Sequence, residues 1–253
     1  MKSTKQLVKS ALRGLGYEVR RIGGSVEFDA VATVKEREYY QQWFPPYPLF
    51  SPWVGHPEFR PFYEAIKPYT LVSADRVYVL LNFARHSRKL DGEFVECGVF
   101  KGGTALLLAG VLKGAGKELH LFDSFKGLPK GNPEHDNYWE EGSFCNDSLE
   151  SVQELLKEYR SFVTFHPGWI PDTFAALPEK RYAFVSVDVD LYQPALDCCA
   201  YFYPRLTPGG VVIFDDYGFP ACRGEKDAVD EYFSTKRDSP IVLPTGQALV
   251  VKT

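Results

Sequence analysis

The chain has 253 residues, 45% hydrophobic and 25% charged, a composition suited to one sizeable soluble domain with or without an appended cap. A net charge of −4, with no Lys/Arg-rich block, leaves no electrostatic footprint for nucleic acid or an anionic membrane, and no apolar run approaches bilayer-spanning length. The cysteines (Cys97, Cys145, Cys198, Cys199 and Cys222) are odd in number and form no CxxC pair, which argues against a disulfide framework or structural zinc and for a reducing cytoplasm.

In chain order, MKSTKQLVKSALRGLGYEV carries basic residues but no continuous apolar core or cleavage site. It reads as an amphipathic helix, with Leu7, Ala11, Leu12 and Leu15 at helical spacing, rather than as a signal peptide. The stretch from Glu38 to Tyr63 concentrates aromatics and prolines. It reads as a hydrophobic cluster under a long loop, or as a substrate cap or oligomer contact. Residues 1–68 are taken as an N-terminal helical and aromatic cap, and residues 69–253 as the main domain. Within the latter, SADRVYVLLNFARHSRKL is a strong helix: Ser73 can cap it, Asp75 suits its positive end, and RHSRK its negative end.

From Gly92 onward, short apolar strands alternate with helical segments. The strands are FVECG, ELHLFD, FVTFHPG, YAFVSVDVD and VVIFDD; the helices between and after them are TALLLAGVLKGAG, SLESVQELLKEY, a short one near TFAAL, PALDCCAYFYPRL and EKDAVDEYFST. Continuous apolar strands in this alternation predict an α/β fold, a mostly parallel sheet with helices on both faces. The last strands, SPIVLPT and QALVVKT, are separated only by Gly246, a link short enough for antiparallel pairing alone, so the sheet should end in an antiparallel hairpin. Ligands in such sheets bind outside the carboxyl ends of the strands. The residues to weigh are therefore Glu96, Asp123, Gly168, Asp188, Asp215 and Asp216.

The first strand leads into ECGVFKGG, whose G-x-x-x-G spacing matches neither the dinucleotide fingerprint nor a P-loop. Gly98 lets the chain turn, and Gly102 and Gly103 let a ligand approach before the helix. Glu96 can accept from a cationic amino group, which suits the amino-acid end of S-adenosylmethionine better than a phosphate. Asp123 ends the second strand roughly twenty-five residues after Gly98, where nucleoside-binding α/β folds hold ribose hydroxyls; otherwise it caps a helix. At the third strand end, Gly168 precedes Trp169, which either stacks on the adenine or belongs to the core, and His166 reads as structural.

Asp188 and Asp190 end one strand, and Asp215 and Asp216 the next. Carboxylates converging there repel one another unless a cation neutralises them or some of them cap helices. An all-oxygen set suits Mg²⁺ or Ca²⁺, with Mg²⁺ the usual partner when water and substrate complete an octahedron. The resulting chemistry is methyl transfer: the metal acidifies a substrate hydroxyl, Asp188 or Asp190 takes its proton, and the oxygen attacks the sulfonium methyl.

The ordered segments YTLVSADRVYVLL, GEFVECGVFKGGTALLLAGVL, LFDSFKGLP, HPGWIPDTF, SVDVDLYQP and PGGVVIFDDYGFPACRGEKDAVDEYF resemble the macrocin O-methyltransferase (TylF/MycF) family, which includes macrolide-sugar and noviose methyltransferases. The likeness runs from Tyr69 to Thr253. It implies a Rossmann-like class I methyltransferase fold, dependence on S-adenosylmethionine and Mg²⁺, and methylation of deoxysugar hydroxyls in natural products. On this likeness Asp188, Asp215 and Asp216 match the metal aspartates, and Asp188 the base. Thr70, Leu71, Glu96, Gly98, Asp123 and Trp169 match cofactor positions. Gly102, Gly103, Thr104, Ser124, Gly168 and Asp188 are grouped with them. NPEHDNYWEEGSF takes the place of a mobile lid. The expected partner is a small sugar-containing acceptor, in a homo-oligomeric enzyme that binds neither nucleic acid nor membrane. Before Tyr69 the sequence departs from the family, which leaves the acceptor open. A catechol-like phenol would use the same chemistry, and a non-catalytic nucleoside-binding module is the third reading.

Overall fold

The computed structural model describes residue 53 and residues 59–145, 148–177 and 179–253. These lie in the second of two units into which the chain divides, Met1–Ser51 and Pro52–Thr253. The amphipathic helix expected at the start and most of the aromatic stretch 38–63 fall outside the described residues.

Helices α1 (Phe59–Ile66) and α2 (Ala74–Ser87) precede the sheet. Then follow β1 (Glu93–Cys97), α3 (Gly103–Leu112), β2 (Leu119–Asp123), α4 (Leu149–Leu155), β3 (Val163–Pro167) and β4 (Tyr182–Val187). The chain continues through α5 (Tyr192–Phe202), β5 (Leu206–Phe214), α6 (Arg223–Phe233), β6 (Ile241–Val242) and β7 (Ala248–Val251). The strands form one sheet in the order β3-β2-β1-β4-β5-β7-β6. The first five pair in parallel, and β7 pairs antiparallel with both β5 and β6. The expected mostly parallel sheet with a terminal antiparallel hairpin is thus what forms. Its link is wider than Gly246 alone, because Val242 pairs with Ala248 and Leu243 N–H bonds Gln247 C=O across the turn.

The strands read as continuous apolar runs because both faces are covered. Phe94, Leu119, Leu121, Phe184 and Ile213 pack on one side with α1, α2, α3 and α4. Val95, Phe122, Val185, Val187 and Phe214 pack on the other with α5 and α6. Helix α3 is apolar nearly all round and buries seven of its ten residues, since it lies between the sheet and the preceding helices. Helix α2 starts after Ser73 as expected, but the Ser73 hydroxyl makes no capping bond. It donates to Asp75 and accepts from Arg76 Nε at 3.3 Å. No described helix is long and apolar enough to cross a membrane.

Candidate active site

Strands β1 and β4 are neighbours, while the chain leaves them toward opposite edges of the sheet. This is the topological switch point at which a crevice opens beyond the strand ends. The crevice is narrow at its base because Gly98 allows it. With φ at 87°, a Cβ on Gly98 would lie 1.7 Å from the Asp188 carbonyl oxygen. The Gly98 N–H donates to Phe122 C=O, and the Asp188 N–H to Cys97 C=O, so three strand ends are tied together. Above them lies a cavity of about 310 Å³.

The cavity is lined by Gly98, Thr104, Asp123 and Ser124, together with Thr70, Leu71, Gly168 and Trp169. Leu71 and Trp169 are solvent-exposed apolar side chains rather than core. Asp123 is not a helix cap. Its Oδ2 accepts from the N–H groups of Val99 (2.8 Å) and Phe100 (3.0 Å), and its Oδ1 from Phe125 N–H (2.7 Å). A carboxylate has about four acceptor positions, so Asp123 holds the glycine turn and retains capacity toward the cavity.

Three sequence-selected residues stand behind the wall instead of on it. Gly102 and Gly103 are not among the residues lining the cavity, and each is closely approached by the chain itself. A Cβ on Gly103 would lie 2.8 Å from Tyr69 and Thr70 atoms, and one on Gly102 2.7 Å from Val152. Glu96 is 1% exposed, and its Oε2 has no hydrogen-bond partner. Burial pushes its pKa up to about 8, against the pull of its bond to Thr104. An orphaned buried carboxyl next to a cavity-lining threonine leaves one unmet requirement at the end of β1.

The cavity is also acidic. Asp188, Asp190, Asp215 and Asp216 all line it. Oxygens of Asp188, Asp215 and Asp216 lie within 4.8 Å of one another, and a second group joins Asp190 and Asp216 to the Cys222 thiol. Burial raises the Asp188 carboxyl well above the usual range, reinforced by Asp215, Asp216 and Asp190 and opposed by Arg76. Burial, then the Asp216 charge, lifts Asp190 to about 7. Asp215 rises to about 6, mainly by burial and against the pull of Arg76. Of the two groups, Asp188, Asp215 and Asp216 form a hard, all-oxygen donor set of the kind that accepts Mg²⁺. Asp190 is held in a left-handed conformation, φ 61°, and accepts from Cys222 Sγ–H at 3.2 Å. Such strain in a non-glycine residue is characteristic of functional turns.

Sequence reasoning missed the groups that hold these acids. The Arg76 guanidinium bonds Asp215 and, at 3.2 Å, Asp216, and it sits 4.7 Å over the Phe219 ring. Gln247 Nε2 donates to Asp215 Oδ1 at 2.7 Å, and Glu225 accepts the Asp216 N–H at 2.9 Å. Arg76 was legible as a cation in the first turn of α2, where the helix dipole disfavours it. Its placement there was the available signal.

The segment read as a lid, residues 132–144, is docked on α5 and α6. Its Asp136 accepts from Tyr192 N–H at 3.0 Å, and its His135 stacks on the Tyr192 ring at 3.9 Å and bonds Asp227 at 2.9 Å. Trp139 and Phe144 face the cavity, and Trp139 Nε1–H reaches Cys222 Sγ at 3.5 Å. His166 bonds His120 at 3.1 Å and stacks on Phe122.

Several known proteins are similar to this chain in sequence or fold. A 3''-O-methyltransferase of mycinamicin III from Micromonospora griseorubida is 36% identical over 157 residues, 56% of this chain. A rhamnosyl-tetracenomycin C 4'-O-methyltransferase from Streptomyces olivaceus is 36% identical over 155 residues, also 56% of this chain. The chain spans 61% and 58% of the lengths of these two relatives. Among solved structures, the O-methyltransferase NovP superposes with a TM-score of 0.62 at 27% identity, covering 73% of this chain and 82% of NovP. The calicheamicin methyltransferase CalS11 shares the fold, with a TM-score of 0.64 at 18% identity over 92% of this chain and 99% of that one. Residues 66–241 match the family described as Macrocin-O-methyltransferase (TylF), and the chain belongs to that family.

Proposed function

We propose that this protein transfers a methyl group from S-adenosylmethionine to a sugar hydroxyl of a natural-product glycoside, with Mg²⁺ held by Asp188, Asp215 and Asp216. The observation that carries the reading is the convergence of those carboxylates in the same cavity as the Gly98 turn and Asp123. Relatives named for sugar O-methylation supply the acceptor class. The residues present fit both groups. The partnerless Glu96 oxygen suits a cationic amino group, the spare capacity of Asp123 suits ribose hydroxyls, and the all-oxygen triad suits a hard dication.

When bound, S-adenosylmethionine supplies an electrophilic methyl group, and Mg²⁺ lowers the pKa of an acceptor hydroxyl. The chain's own residues orient the reactants and move the proton. Trp169 and Leu71 flank the nucleoside, and Trp139 and Phe144 wall the acceptor against water. Asp188 or Asp190 accepts the hydroxyl proton; burial has already raised the proton affinity of both.

The test is formation of S-adenosylhomocysteine with a panel of deoxysugar glycosides, in EDTA and after Mg²⁺ is restored. Acceptor-dependent turnover that requires the metal is expected. Turnover of equal rate in chelator would remove the metal, and failure to bind S-adenosylmethionine would remove the whole reading.

A further inference from the structure

We infer that Arg76 is the resident counter-ion of the metal-binding acids: it holds Asp215 and Asp216 while no metal is bound, and it competes with Mg²⁺ for them. The inference rests on the metal reading above and concerns a residue outside the acidic set.

The geometry is specific. Gln247 Nε2 occupies Asp215 Oδ1 at 2.7 Å, so Oδ2 is the Asp215 oxygen left to face another group. Arg76 Nη1 bonds that oxygen, and the same nitrogen reaches Asp216 Oδ1 at 3.2 Å. One guanidinium nitrogen therefore stands between two of the three proposed ligands. The side chain is 11% exposed and lies over the Phe219 ring, so this placement is packed rather than a surface encounter. Gln247 also reaches the Arg76 carbonyl at 3.5 Å, linking the start of α2 to the same carboxylate. Converging carboxylates repel one another unless a cation offsets them. Arg76 is a cation the fold itself provides, and it supplies a single positive charge to a cluster of three carboxylates. Two negative charges remain when all three ionise, which leaves the cluster attractive to a dication. Because Arg76 repels that dication, it weakens metal binding in proportion to how well it stabilises the metal-free site.

The test uses the full chain with Arg76→Gln, which removes the charge, and Arg76→Lys, which keeps it. Two readouts are taken: the melting temperature in EDTA, and the Mg²⁺ dissociation constant by calorimetry without S-adenosylmethionine. Arg76→Gln is expected to melt several degrees lower in EDTA and to bind Mg²⁺ on the order of tenfold more tightly. Arg76→Lys should lie between it and the parent on both. If Arg76→Gln does not fold in chelator, Mg²⁺ should restore the fold, and failure to do so overturns the inference. Mg²⁺ affinity that is unchanged or weaker in Arg76→Gln also overturns it, since a merely structural arginine would give that result. Absence of Mg²⁺ binding to both parent and variants overturns the metal reading itself.

Discussion

Glu96→Gln probes the buried end of β1 with little change of shape. In the parent, burial raises this carboxyl from 4.5 to about 8, with Thr104 pulling the other way. The sign follows from linkage. Between those values the folded chain keeps a proton that the unfolded chain has released, so Glu96 favours folding at low pH. That contribution is lost as pH rises through the window. Each pH unit is worth about 1.4 kcal/mol, so from about pH 5.5 to about pH 7.5 Glu96 should lower stability by at most about 2–3 kcal/mol. Glutamine does not titrate and removes this slope, while Asp188, Asp190 and Asp215 contribute equally to both proteins. Urea unfolding in EDTA, without S-adenosylmethionine, across that range gives the comparison. Glu96→Gln should lose less stability than the parent as pH rises, by up to about one proton in the slope. It should also bind S-adenosylmethionine more weakly, because glutamine cannot give up a proton to meet a cationic amino group, as Glu96 can when the ligand arrives. Identical pH slopes in the two proteins would refute the reasoning, and Glu96 would then be ionised or partnered in the fold.

Asp123→Ala leaves the N–H groups of Val99, Phe100 and Phe125 without their acceptor. It should weaken S-adenosylmethionine binding by roughly 1–3 kcal/mol, measured by calorimetry. Asp188→Asn should reduce kcat far more than S-adenosylmethionine affinity, since it removes a proposed ligand and a proposed base. Asp190→Asn keeps the Asp188, Asp215 and Asp216 set, so Mg²⁺ affinity should survive, and its kcat then reports whether Asp190 takes the proton. Equal Mg²⁺ loss in both variants would show that the two acidic groups act as one.

The sheet was legible because its signal is local and repeated. Each of the five parallel strands is a short apolar run leading to a glycine or an acid, and both faces of that part of the sheet are covered, so no alternation had to be resolved. The acids were legible for the same reason, since parallel strands bring their carboxyl ends to one edge. What could not be read were contacts between distant segments. Arg76 and Asp215 are 139 residues apart, and Gln247 reaches Asp215 from the far side of α6. Gly102 and Gly103 were legible as positions of close approach, but such a glycine does not reveal what approaches. In the structure the near neighbours are the Val152 side chain, the Tyr69 carbonyl group and the Thr70 Cβ. The docking of residues 132–144 through Asp136 and His135 likewise depends on partners in α5 and α6 that no local pattern encodes.

The most direct measurement is a crystal structure of the chain grown with S-adenosylhomocysteine and saturating Mg²⁺. The expected result is the ribose against Asp123, the amino group turned toward Glu96, and one ion bound by Asp188, Asp215 and Asp216 with the Arg76 guanidinium moved off Asp215. A nucleoside bound elsewhere, or the three aspartates without an ion and still bonded to Arg76, would contradict the account.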